Sequence, residues 1–75
     1  MQKYKNLDGD SGVEEFETGS DRITVKFKGG AEYTYTNQSA GAENVRQAVA
    51  LAEGGEGLNA FIMKNMRTKY ASKSR

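Results

Sequence analysis

The sequence predicts an α+β fold: a three-stranded antiparallel β-meander with two C-terminal helices packed on one face. Three observations carry this. Polar and large apolar residues alternate on both sides of a double glycine in "KFKGGAEYTYT", residues 26–36. Ala42, Val45, Ala48, Val49 and Ala52 then recur at helical spacing, and Leu58, Phe61, Ile62, Met66 and Tyr70 do so again.

The meander begins near Val13. This residue stands three before Phe16, which breaks strict alternation, so a bulge near Glu14 and Glu15 is expected to return Val13 to the core face. Thr18-Gly19-Ser20-Asp21 reads as a type II′ hairpin with Gly19 first in the turn, pairing Phe16 with Ile23 and Glu17 with Arg22. In the next hairpin loop length decides the register, because a one-residue slip moves every side chain to the other face. A two-residue Gly29-Gly30 loop would set Phe27 against Glu32 and bury charge. A three-residue loop, Lys28 to Gly30, instead pairs Phe27 with Ala31, Val25 with Tyr33 and Ile23 with Tyr35 on one face. It sets Lys26 against Glu32 and Thr24 against Thr34 on the other. That register fits a type I turn with a G1 bulge, in which Gly30 alone takes positive φ. The Tyr33 and Tyr35 rings are therefore expected to face the core, with display for base stacking as the alternative.

Beyond the sheet, "NQSAG", residues 37–41, reads as a polar connector with capping candidates in Asn37, Ser39 and Gly41. The first helix presents a narrow stripe of small residues and stops at Gly54-Gly55. "EGGEG", residues 53–57, lacks the Lys-Ser/Thr of a phosphate loop and follows a helix, so it reads as an interhelix turn. The second helix is expected from about Leu58 to Tyr70. On a helical wheel Leu58, Ile62, Met66 and Tyr70 share one side, Lys64 and Arg67 point away from it, and Lys69 lays its stem over the core. Residues 1–11 read as a flexible tail, 12–71 as the single domain and 72–75 as a basic tail.

A chain of 75 residues with 36% hydrophobic content has room for one core. With no Cys, that core holds without disulfides or thiolate-bound zinc. No stretch approaches the roughly 20 apolar residues of a membrane span. "MQKYKNLDGDSG" lacks the apolar segment of a signal peptide, so the expected location is the cytoplasm, with no membrane partner. Residues 1–56 carry a net charge of −4, whereas 57–75 hold five Lys/Arg and no acid. Such a basic end either marks an anionic partner or complements a helix C-terminus.

The absence of His and Cys removes the usual general base at neutral pH and the commonest soft nucleophile. Glu14, Glu15 and Glu17 fit a charged outer strand face. No enzyme, cofactor or small-molecule substrate is expected. "DGDSG", residues 8–12, begins like a calcium loop, but Val13 stands sixth, where the turn needs Gly, and Gly19 twelfth, where it needs Glu. It reads as part of a solvated tail, with no metal.

Meander, Tyr-x-Tyr at the end of the last strand, helix, small-residue break, then a helix carrying Leu58, Asn59, Ile62, Arg67 and Tyr70: in this order the chain resembles the KTSC domain. That module is found alone in bacterial and phage proteins and at the C-terminus of some lysyl-tRNA synthetases. The resemblance runs from about Val13 to Tyr70 and is carried in the sheet by Phe27, Gly30, Tyr33 and Tyr35. It implies mainly structural roles for Gly30, Tyr33, Tyr35, Asn59, Ile62 and Tyr70, and RNA binding has been suggested for the family. Many members enter the first helix through Val-Pro, whereas this chain has "TNQSAGAEN" and no proline.

Two functions follow as expectations. The first is a nucleic-acid-binding module, with RNA as the expected partner, contacting phosphates through Lys64, Arg67 and Lys73, joined by Lys26 and Lys28 from the sheet. The second is a protein-interaction or self-association module that docks through edge strands and the solvent side of the helices. Asn59 either braces local backbone near the glycine turn or touches a ligand.

Overall fold

The computed structural model describes residues 1–7 and 12–74. Its strands are β1 (Gln2–Lys3), β2 (Val13–Thr18), β3 (Arg22–Phe27), β4 (Glu32–Thr36) and β5 (Ser72–Ser74), joined antiparallel in sequential order. The expected meander is the centre of this sheet, and the expected count of three strands is corrected to five among the described residues. Both added strands come from segments that read as tails. They are two and three residues long and polar, so no alternation marks them. They form because the outer edges of β2 and β4 offer unpaired backbone groups. Residues 8–11, with most of "DGDSG", lie outside the described residues.

The second hairpin has the expected register: Val25 pairs with Tyr33, Ile23 with Tyr35, Thr24 with Thr34 and Lys26 with Glu32. The Phe27 N–H reaches the Ala31 carbonyl at 2.8 Å and the Gly30 N–H the Phe27 carbonyl at 3.0 Å. Its turn differs from expectation, because Gly29 (φ 96°) and Gly30 (φ 100°) are both left-handed. Positive φ at the third residue of the Phe27–Gly30 turn is type II geometry. In the first hairpin Phe16 pairs with Val25, Glu17 with Thr24 and Thr18 with Ile23, so the expected Phe16–Ile23 and Glu17–Arg22 pairs are corrected. The turn centre moves by one residue to Ser20-Asp21, closed by Gly19 N–H to the Arg22 carbonyl at 2.9 Å. Gly19 does not take the positive φ that a type II′ turn requires. The slip is two residues in pairing, so every side chain keeps its face. The bulge is present as expected, between Val13 and Glu15, and it buries Val13.

The connector folds instead of staying open. Asn37–Ala40 forms a short helix, α1, whose N-cap Thr36 accepts from the Ser39 N–H while the Ser39 hydroxyl accepts from the Thr36 N–H. Among the described residues, three helices therefore replace the expected two. α2 spans Ala42–Gly54, buries Val45, Ala48 and Ala52, and ends at Gly55 with φ 85°. Its small stripe lets it lie close to β3 and β4. α3 spans Leu58–Asn65, ending five residues before the expected Tyr70. Thr68 is a weak helix former, and past Met66 the chain turns back toward β4, where the Ala71 N–H reaches the Thr34 carbonyl at 2.7 Å. Pairing along that edge displaces further helix.

The core lies between one sheet face and the helices: Val13, Phe16, Ile23, Val25 and Tyr35 meet Ala40, Val45, Ala48, Ala52, Leu58, Ile62 and Met66. Tyr4 joins them from the end of β1, 3% exposed, and its hydroxyl accepts from the Leu58 N–H at 3.3 Å. Next to it the Leu7 N–H reaches the Gly55 carbonyl at 2.7 Å, and a Cβ on Gly55 would stand 2.7 Å from that of Lys5. The N-terminal segment thus straps the α2–α3 turn to the sheet. No helix among the described residues is long and apolar enough to cross a membrane.

A candidate ligand cleft lined by aromatic rings

Helix α3 does not cover the sheet end to end. At the β3–β4 turn a cleft of about 500 Å³ opens, with Phe27, Ala31, Tyr33 and Tyr35 on the sheet side. Asn59 and Met63 from α3, and Arg67, Thr68 and Tyr70 from the segment after it, form the opposite side. Such a volume lies within the roughly 300–1,000 Å³ of small-ligand sites.

Four rings make the lining aromatic. Tyr33 meets Phe27 edge-on at 5.5 Å and Tyr70 edge-on at 5.0 Å, while Tyr35 meets Tyr70 at 6.5 Å. The strand pleat sets Tyr33 and Tyr35 on one face at i and i+2, near-parallel at 6.5 Å. Tyr70 reaches them because the chain leaves the helix first. As expected, the two β4 rings turn toward the helices, but to different depths: Tyr35 is buried and Tyr33 half-buried. Burial, reinforced by the neighbouring Tyr33 and Tyr70 phenols, pushes the Tyr35 hydroxyl up to about 12.

The expected phosphate contacts divide. Arg67 lines the cleft, past the end of α3 and not on its solvent face. Lys73 pairs across from Tyr33 in β5 and holds its ammonium 5.4 Å from that ring. Lys64 is exposed on α3 and Lys28 at the hairpin tip, neither lining the cleft. Lys26 belongs to the other sheet face, where it pairs with Glu15 at 3.9 Å and stands opposite Glu32. It is not brought to the others. Of the residues expected to have mainly structural roles, Gly30 serves the turn, Ile62 is core, and Tyr33, Tyr35, Asn59 and Tyr70 gather at the cleft. Asn59 does not brace the glycine turn: α3 is capped by Gly57 without a side-chain bond, and the Asn59 amide bonds no described residue.

Met63 and Thr68 were not singled out from sequence. Asn59, Met63 and Arg67 recur every four residues, one row of a helix face, and that signal could have grouped the first two. Thr68 has none, since it depends on where the helix ends. Among known protein families, curated proteins and solved structures, none matches this chain.

Proposed function

We propose that the chain is a small binding module of the KTSC-domain kind that holds single-stranded RNA at this cleft. Aromatic rings stack bases while the C-terminal cations meet phosphates. The observation that carries the reading is the placement of Lys73 over Tyr33 and of Arg67 on the cleft wall, beside the half-exposed Tyr70 ring. Sequence-tolerant single-strand binding uses the same two ingredients, stacking faces and a positive track. Neither cation has a carboxylate partner among the described residues, in contrast to Lys26. Segment 57–75 contains no acid to oppose a phosphate.

Fluorescence anisotropy of a labelled single-stranded RNA, measured across salt concentrations, tests this. Arg67→Gln and Lys73→Gln should each flatten the logarithmic salt slope by about 0.7, the value for one phosphate contact on a single strand. Lys26→Gln should leave it unchanged. Equal effects of all three, or no binding, overturns the reading. Binding of a protein, or of a second copy, that does not weaken with salt would favour the interaction-module alternative, for which exposed Met63 and Tyr70 offer apolar surface.

A further inference from the structure

Stacking rings and phosphate-seeking cations do not distinguish one base from another. The cleft also holds polar side chains that this reading does not use, among them Tyr35 and Asn59. Tyr35 is 1% exposed and lines the cleft, yet its hydroxyl bonds no described residue. No fully buried side-chain oxygen or nitrogen among the described residues lacks a partner, so this oxygen is not wholly sealed from solvent. With the phenol pushed up to about 12, the group is a neutral O–H at ordinary pH, donor and acceptor at once. Asn59, half-buried in the first turn of α3, lines the same cleft with an amide that bonds no described residue. A few convergent polar groups in an otherwise apolar site fix the orientation of what enters it. They also reject ligands that leave them unpaired.

Resting on the stacking reading above, we propose that the cleft admits one unstacked nucleobase of the strand edge-first, its hydrogen-bonding edge read by the Tyr35 hydroxyl and the Asn59 amide. Its face lies against the Tyr70 ring, the most exposed of the four. An amide sets an acceptor beside a donor, a pair matched by an exocyclic amine and its adjacent ring nitrogen, as adenine and cytosine present them. Of these two, adenine is the preferred base, because its larger ring covers more of Tyr70. Lys73 and Arg67 lie where the attached phosphates would run.

The test is an NMR titration of the labelled full chain with adenosine, guanosine, cytidine and uridine 5′-monophosphates, reading the Asn59 side-chain NH₂ and the Tyr70 ring. The adenosine nucleotide should bind tightest and move both signals. Tyr35→Phe and Asn59→Leu should each weaken it by about three- to tenfold, the worth of one neutral hydrogen bond, and bring the four nucleotides closer together. Tyr35→Phe keeps the ring, so it remains informative even if Asn59→Leu disturbs α3. Four equal affinities that Tyr35→Phe does not change overturn the base-edge proposal. The two readings fail separately. Single-stranded RNA bound with a salt slope but no base preference removes only the edge reading. Adenosine nucleotide bound at Asn59 without any RNA affinity removes only the strand reading, and no shift at the cleft together with no RNA binding removes both.

Discussion

Gly29 and Gly30 share the left-handed region at the tip of the second hairpin, and a Cβ on either would meet nothing within 4 Å. A substitution there is opposed by backbone strain alone. Gly29→Ala and Gly30→Ala should therefore each lower stability by about 1–2 kcal/mol, read by chemical denaturation. A neutral Gly29→Ala would restore the type I turn that the sequence suggested. Double glycine spells a turn but not which glycine bends it, since both fit either type. Tyr35 supplies a pH-dependent term. Its folded-state value of about 12 lies above the ordinary 10.0, so folding favours the neutral phenol. The associated stability is fully present below pH 10 and is lost as pH rises toward 12, by an amount of order 2 kcal/mol. Denaturation of wild type and Tyr35→Phe in parallel should show the variant losing less across that alkaline window. Superimposable losses would mean that the hydroxyl is solvated in the folded chain.

At the scale of elements, what could be read from sequence was what has a period. β3 and β4 alternate strictly, so their pairing was legible to the residue, and α2 was legible from its small-residue stripe and glycine stop. β1 and β5 carry no period because edge strands this short are held by backbone pairing, to which any residue contributes. The end of α3 was misread for a related reason: Tyr70 keeps helical phase with Ile62 and Met66, but the β4 edge competes for the chain. For the cleft, residue types were legible and their grouping was not. Tyr33, Tyr35, Asn59, Arg67, Tyr70 and Lys73 were all singled out, yet the helix wheel placed Arg67 in open solvent. The N-terminal strap has its own test. Tyr4→Phe keeps the buried ring but leaves the Leu58 N–H without its acceptor, which should lower stability by about 1–2 kcal/mol. Faster hydrogen exchange at Leu58 than elsewhere in α3 would localise the loss, and an unchanged rate there would dismiss the bond as incidental.

Across the whole molecule, both sheet edges are closed by the shortest strands, and β5 is Ser-Lys-Ser, exposed throughout. Short, charged edges oppose strand addition by another chain. Removing residues 71–75 would uncover β4, whose Glu32–Thr36 run alternates and carries two tyrosines. A chain truncated in this way should associate with rising concentration where the full chain does not, as seen by light scattering after size exclusion. It should also lose the Lys73 contact over Tyr33. A truncated chain that stays monomeric would mean that the twist of the sheet, not β5, protects this edge.

The hydrogen bond from Leu58 to the Tyr4 hydroxyl spans 54 residues, whereas every pair of neighbouring strands except β4 and β5 is also adjacent in sequence. The meander can therefore assemble through short loop closures, while the strap must await a nearly complete structure. Contacts made that late belong to the far side of the rate-limiting barrier. In a chevron plot Tyr4→Phe should raise the unfolding limb and leave the refolding limb where it is, so the strap governs how long the folded chain persists and not how fast it forms.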